Sequence, residues 1–174
     1  MEWLLRALKQ VSVPVHLDIA GDGDQEPEMR ELCKSLRLDN KVTFHGWVSP
    51  QQVETLIQQA RALVFPSIWH EPGGTIAFEA MAQSRSVIMS RVGGMPEVVL
   101  HEVNGLLTSP NNTRELAACI ERLAIDWSLA KRMGDEGRKM ATEQYALQIH
   151  IHKLMHFYSQ SIQAKQKVRN LSCG

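Results

Sequence analysis

No apolar run in this chain approaches the ~20 residues of a membrane-spanning helix. The opening Met1-Glu2-Trp3-Leu4-Leu5-Arg6 also lacks the basic-then-apolar layout of a secretion signal. Cysteine is scarce. Cys33, Cys119 and Cys173 make an odd count without paired spacing, which excludes a disulfide framework and reads as free thiols in a reducing compartment. An excess of charge of either sign is missing too. Nineteen basic residues balance nineteen acidic ones, so no global field recruits nucleic acid. A cytoplasmic protein follows as the default, and local charge must hold any anionic ligand.

What is present is ordinary globular material: 174 residues, 44% hydrophobic and 22% charged. That length supports one buried core and not two full domains. Helical spacing is expected over 3–10, 28–38, 75–83, 113–124, 128–143 and 148–164. Ser49-Pro50 starts a further helix to Ala60, with Ser as N-cap and Pro at the first helical position. Short β-rich runs fall at 13–20, 42–44, 62–66, 87–90 and 106–108. Strands alternate with helices and no linker or repeat interrupts them. The expected fold is α/β, a Rossmann-like parallel sheet flanked by helices. Residues 1–174 read as a single domain, closed by a terminal helix and frayed tail over 146–174.

Ligands of open α/β sheets bind at the carboxyl ends of strands. Three loops fall there: Gly21-Asp22-Gly23, Gly46-Trp47-Val48 and His70-Glu71-Pro72-Gly73-Gly74-Thr75. Adjacent glycines at a helix start let the backbone approach a ligand, and the helix end offers free N–H groups to a phosphate. Glu71 precedes the glycines and Glu79 lies a turn into the helix. Carboxylates suit vicinal hydroxyls and repel phosphate. A ligand with phosphate in the middle and hydroxyls at both ends fits, and a nucleoside diphosphate sugar is such a ligand. Taken singly, these features have plainer readings: a strand-ending turn for Gly21-Asp22-Gly23, solvated carboxylates for Glu71 and Glu79, and core packing for Trp47. Gly21-x-Gly23 is no dinucleotide fingerprint, since Glu26 stands at the third glycine position.

The ordered set resembles the retaining glycosyltransferases of family 4, within the GT-B fold. It comprises Ile19-Ala20-Gly21-Asp22-Gly23, Val42 to Val48, Phe65-Pro66-Ser67, Glu71 and Glu79 with seven residues between them, Gly93-Gly94-Met95-Pro96-Glu97, and Asn104-Gly105-Leu106-Leu107. The resemblance implies the C-terminal, donor-binding half of such an enzyme. Sugar would pass from a UDP-, GDP- or ADP-sugar to an acceptor glycan, lipid or small molecule with retained configuration. Glu71 would be catalytic and contact the donor sugar. Gly73, Gly74 and Thr75 would present N–H groups to sugar and diphosphate. Glu79 would hold the ribose, with Gly21, Gly46, Trp47 and Val48 bordering the nucleotide. No cofactor or metal is implied. A full-length enzyme of this kind would reach a membrane only peripherally.

Two departures stand out. Ser84 and Ser86 occupy positions where the family carries glycine and proline. The family's opening strand, its arginine–lysine clamp and the acceptor half are absent, so the missing strand should leave unpaired edges near the middle of the sheet. The expectation is a fragment or truncated gene product with little activity alone. The alternatives are a nucleotide-sugar-binding subunit that needs a separate acceptor domain, and an epimerase of the same architecture. His152 and His156 have zinc-compatible spacing but no third ligand, and read as a polar helix face. Arg91 is the nearest basic residue to the proposed diphosphate.

Overall fold

In the computed structural model the backbone of residues 1–171 and the side-chain surroundings of residues 1–165 are described. The expected frayed tail lies outside them. The order is α1 (Glu2–Leu8), β1 (Leu17–Ala20), α2 (Glu26–Ser35), β2 (Val42–Gly46), α3 (Pro50–Gln59), β3 (Ala62–Phe65), α4 (Ile76–Ala82), β4 (Ser86–Ser90), α5 (Met95–Val98), β5 (Gly105–Thr108), α6 (Thr113–Ile125), α7 (Trp127–Glu143) and α8 (Leu147–Leu171). By packing, Met1–Arg138 form one compact unit and Lys139–Gly174 a second. Every strand lies in the first unit.

All strand pairs are parallel, as expected. They form two sheets, β1-β2 and β3-β4-β5. Among the described residues, one edge of β1 and one edge of β3 carry no ladder. One core nevertheless joins both sheets. Leu4, Leu5, Ala7 and Leu8 of α1 pack with Ile19 and Val42 of one sheet and Ile88 and Leu106 of the other. Each such side chain contributes roughly 1.5–3 kcal/mol when withdrawn from water. On β4 all five residues are buried. Ile88 joins the α1 core, whereas the neighbouring Met89 meets Gly74 of the loop before α4. Successive side chains point to opposite faces, so β4 is covered on both sides.

Several boundaries differ from expectation. The first strand starts at Leu17, not 13, because Leu17 is where pairing with Val42 begins. Val13 and Val15 pack against the core without a ladder. Helix α2 begins two residues early, because Pro27 is tolerated in a first turn. It ends before Arg37, whose φ of +58° is left-handed. Helix α3 starts as expected: Gln52 N–H donates to Ser49 Oγ at 3.3 Å, and Ser49 N–H to Gln52 Oε1 at 2.8 Å, a capping box. No described helix is long and apolar enough to cross a membrane.

Ser84 stands in the left-handed region at φ +57°, just past α4. That is the conformation glycine takes at low cost. Ser84→Gly is expected to stabilise the fold by about 1 kcal/mol, the strain of a left-handed non-glycine residue, in urea unfolding. Unchanged or lowered stability would contradict the strain. The free edges of β1 and β3 predict association as concentration rises. Sedimentation velocity over a hundredfold concentration range checks this, and a constant monomer coefficient throughout would refute it.

Candidate functional site

The segment after β3 is anchored at its first residue. Trp3 Nε1–H of α1 donates to Pro66 O at 3.0 Å, tying the loop to the core helix. Further along, Glu71 is held through its backbone. Its N–H donates to Trp69 O at 2.9 Å, and its carbonyl accepts from Gly94 N–H at 2.8 Å. The loop after β4 therefore braces the loop after β3. The fit is tight enough to require two glycines. A Cβ on Gly94 would lie 1.9 Å from Pro72 O, and one on Gly93, at φ +54°, would lie 2.3 Å from Glu71 O. Gly93 and Gly94 were legible only as part of a turn; their adjacency before Met95-Pro96 was the signal of their bracing role.

Within the braced loop, polar groups are left over. Among the described residues, the N–H groups of Gly73, Gly74, Thr75 and Ile76 have no protein acceptor. The Thr75 side chain makes no cap hydrogen bond to α4. Among the described residues, the carboxylates of Glu71, half-buried, and Glu79, exposed, have no hydrogen-bonding or ionic partner. Four free donors thus lie between two free carboxylates along nine residues of chain. Arg91, at the carboxyl end of β4, is exposed and its guanidinium is unpaired.

A second group gathers on the other sheet. Gly21 N–H donates to Gly46 O at 2.8 Å, bringing the ends of β1 and β2 together. Nothing lies within 4 Å of where a Cβ would stand on either glycine, so the surface above them is open. Val48 is half-buried. Trp47 is 73% exposed, which rules out the core-packing reading. Beside this loop opens a cavity of about 580 Å³ lined by Asp22, Gly23, Asp24, Glu26, Pro27 and Arg30. Its acidic lining does not suit a phosphate.

Some residues escaped the sequence reading. His70 and Trp69 are exposed beside Glu71, Trp69 at 77%. The Ser90 hydroxyl is buried without a partner at the end of β4, and a lone serine in a strand carries no signal of that. Cysteine chemistry has little scope here. Burial pushes the Cys119 thiol up to about 11, and the Cys33 thiol is raised by the same cause. Among the described residues no three His, Cys, Asp or Glu side chains converge as a metal site. His156 instead hydrogen-bonds Gln160 at 2.8 Å.

The bracing has a direct test. Gly94→Ala drives a methyl into Pro72 O and should cost roughly 1–3 kcal/mol, the usual penalty of overpacking. Gly23→Ala meets nothing within 4 Å and should change stability little. Equal urea midpoints for the two variants would show that the loops are not interlocked.

Known proteins are similar in sequence and fold. Residues 1–140 match the family described as glycosyl transferases group 1. A glycosyltransferase of Methanocaldococcus jannaschii is 34% identical over 148 residues, covering 84% of this chain and 38% of that protein. The α-D-kanosaminyltransferase of Streptomyces kanamyceticus is 29% identical over 74% of this chain and 33% of its own length. Among solved structures, Anabaena HepE in complex with UDP and glucose superposes with a TM-score of 0.84 at 26% identity, over 92% of this chain and 44% of that one. The chain therefore spans between a third and two fifths of the length of these two curated relatives. Its fold is that of the C-terminal domain of GT-B enzymes. With these sheets, these braced loops and this match over most of its length, the chain belongs to the glycosyl transferases group 1 family.

Proposed function

We propose that this chain is the donor-binding half of a retaining glycosyltransferase, and that its ligand is a nucleoside diphosphate sugar. The observation that carries this is the run of free N–H groups between the free carboxylates of Glu71 and Glu79. Buried or semi-buried donors without acceptors are costly unless a ligand supplies them. A diphosphate supplies acceptors to Gly73, Gly74 and Thr75. Its flanking sugars supply hydroxyl donors to the two carboxylates.

The roles follow from chemistry. Glu79 accepts from the ribose hydroxyls. Glu71 accepts from the transferred sugar and acts at the reacting centre. Gly21, Gly46, Trp47 and Val48 border the base, where the exposed Trp47 face offers stacking. As the glycosidic bond breaks, negative charge grows on the leaving diphosphate. The N–H groups meet that charge without a metal, and the unpaired Arg91 adds a cation. UDP-glucose is the first donor to try, because HepE was solved with it at 26% identity and a TM-score of 0.83; GDP- and ADP-sugars follow.

A second reading is a donor-binding subunit that works with a separate acceptor domain. Both readings share the donor site and differ in turnover. Robust sugar transfer by the 174-residue chain alone would overturn both the fragment and the subunit.

Glu79→Ala is expected to weaken the tightest nucleotide sugar by ~1–3 kcal/mol in calorimetric titration, the range for losing a hydrogen bond to a charged group. Unchanged affinity removes Glu79 from the ribose.

A further inference from the structure

At the opposite ends of β3 and β4 lies a second polar site. Arg61 immediately precedes β3 and Arg85 immediately precedes β4. The donor loop leaves β3 after Phe65, roughly 13 Å away along a four-residue strand. Arg61, Arg85 and Lys131 line a cavity of about 170 Å³ together with Gln83, Trp127 and Asp135. Three cations and one carboxylate share it.

The charges are unevenly matched. Asp135 is taken by Lys131 at 2.5 Å. Arg61 and Arg85 have no carboxylate partner among the described residues. Arg61 lies over the Trp127 ring, 5.0 Å from its centroid, and donates to Leu123 O and Ala124 O at the end of α6. Arg85 donates through Nη2 to Gln58 O at 2.5 Å. Its Nε–H is buried and has no acceptor, and Gln83 Oε1 is buried and has no donor. Among the described residues, one buried donor and one buried acceptor, each on a half-buried side chain, thus stand unfilled two positions apart beside two uncompensated guanidiniums. Leaving such groups unpaired costs stability, so an occupant is favoured. The wall is rigid as well: a Cβ on Gly134 of α7 would fall 2.1 Å from Ser84 O.

We infer that this cavity binds inorganic phosphate, independently of the nucleotide sugar. The occupant must bring negative charge for Arg61 and Arg85, an acceptor for Arg85 Nε–H and a hydroxyl donor for Gln83 Oε1. Hydrogen phosphate carries all three, because it retains a P–OH through neutral pH. Sulfate has no proton to give. A phosphate monoester loses its own at about pH 6 and has none at pH 8.

Trp127 is the built-in reporter. Its indole cross-peak, identified by its loss in Trp127→Phe, is followed at pH 8 while phosphate is added. Saturable shifts are expected, at least about fivefold tighter for phosphate than for sulfate or methyl phosphate. Arg85→Gln should abolish them. Lys131→Gln, an exposed change that leaves the Arg85 contacts in place, should weaken them about threefold or more. Saturating UDP should leave them unchanged. The site is refuted by an absent shift, by undiminished binding in both variants, or by displacement with UDP. Equal binding of sulfate refutes the Gln83 contact.

Discussion

Burial of one face of α1 is the interaction on which the rest depends. The two sheets share no ladder, so backbone hydrogen bonding cannot join them. Leu4, Leu5, Ala7 and Leu8 instead belong to one buried cluster with side chains of both. A short helix thereby does non-directionally what a central strand would do with directed bonds. The same helix reaches the site: Trp3 packs in the core and spends its indole N–H on Pro66 O, where the donor loop begins. Core and loop are thus set by a single element, and loosening it disturbs both.

Much of this was legible in the residues. Alternating apolar strands and helices implied parallel pairing, and every strand pair is parallel. Ser49-Pro50 announced its helix because capping is a local event. What stayed hidden is non-local. Val13 and Val15 alternate as a strand would, yet alternation reports burial and not pairing, and pairing starts only where Val42 is opposite. The left-handed turn at Arg37 that stops α2 has no composition signal. At the site, Glu71, Gly73, Gly74, Thr75 and Glu79 were legible as a pattern. The bracing by Gly93 and Gly94 was not, because it depends on a loop from the next strand. The partnerless hydroxyl of Ser90 was illegible for the same reason.

The site combines stiffness and vacancy. Gly93 and Gly94 clamp the backbone of Glu71 and Pro72 so closely that no side chain fits between the loops. Immediately downstream, the loop leaves its own amides unused. A stiff frame around unmet hydrogen bonds is the arrangement that binds without first having to order itself. The exposed indoles of Trp47 and Trp69 and the open surface over Gly21 and Gly46 add apolar area with no protein cover.

The divided sheet also sets the map of solvent protection. In an unbroken parallel sheet the innermost amides exchange with water last, and the rim exchanges first. Here the amides on the free sides of Leu17–Ala20 and Ala62–Phe65 belong to strands that flank the shared core, yet they have no ladder partner on those sides. The slowest exchange is therefore expected at β4, the middle strand of its sheet, bonded on both sides and buried at all five positions.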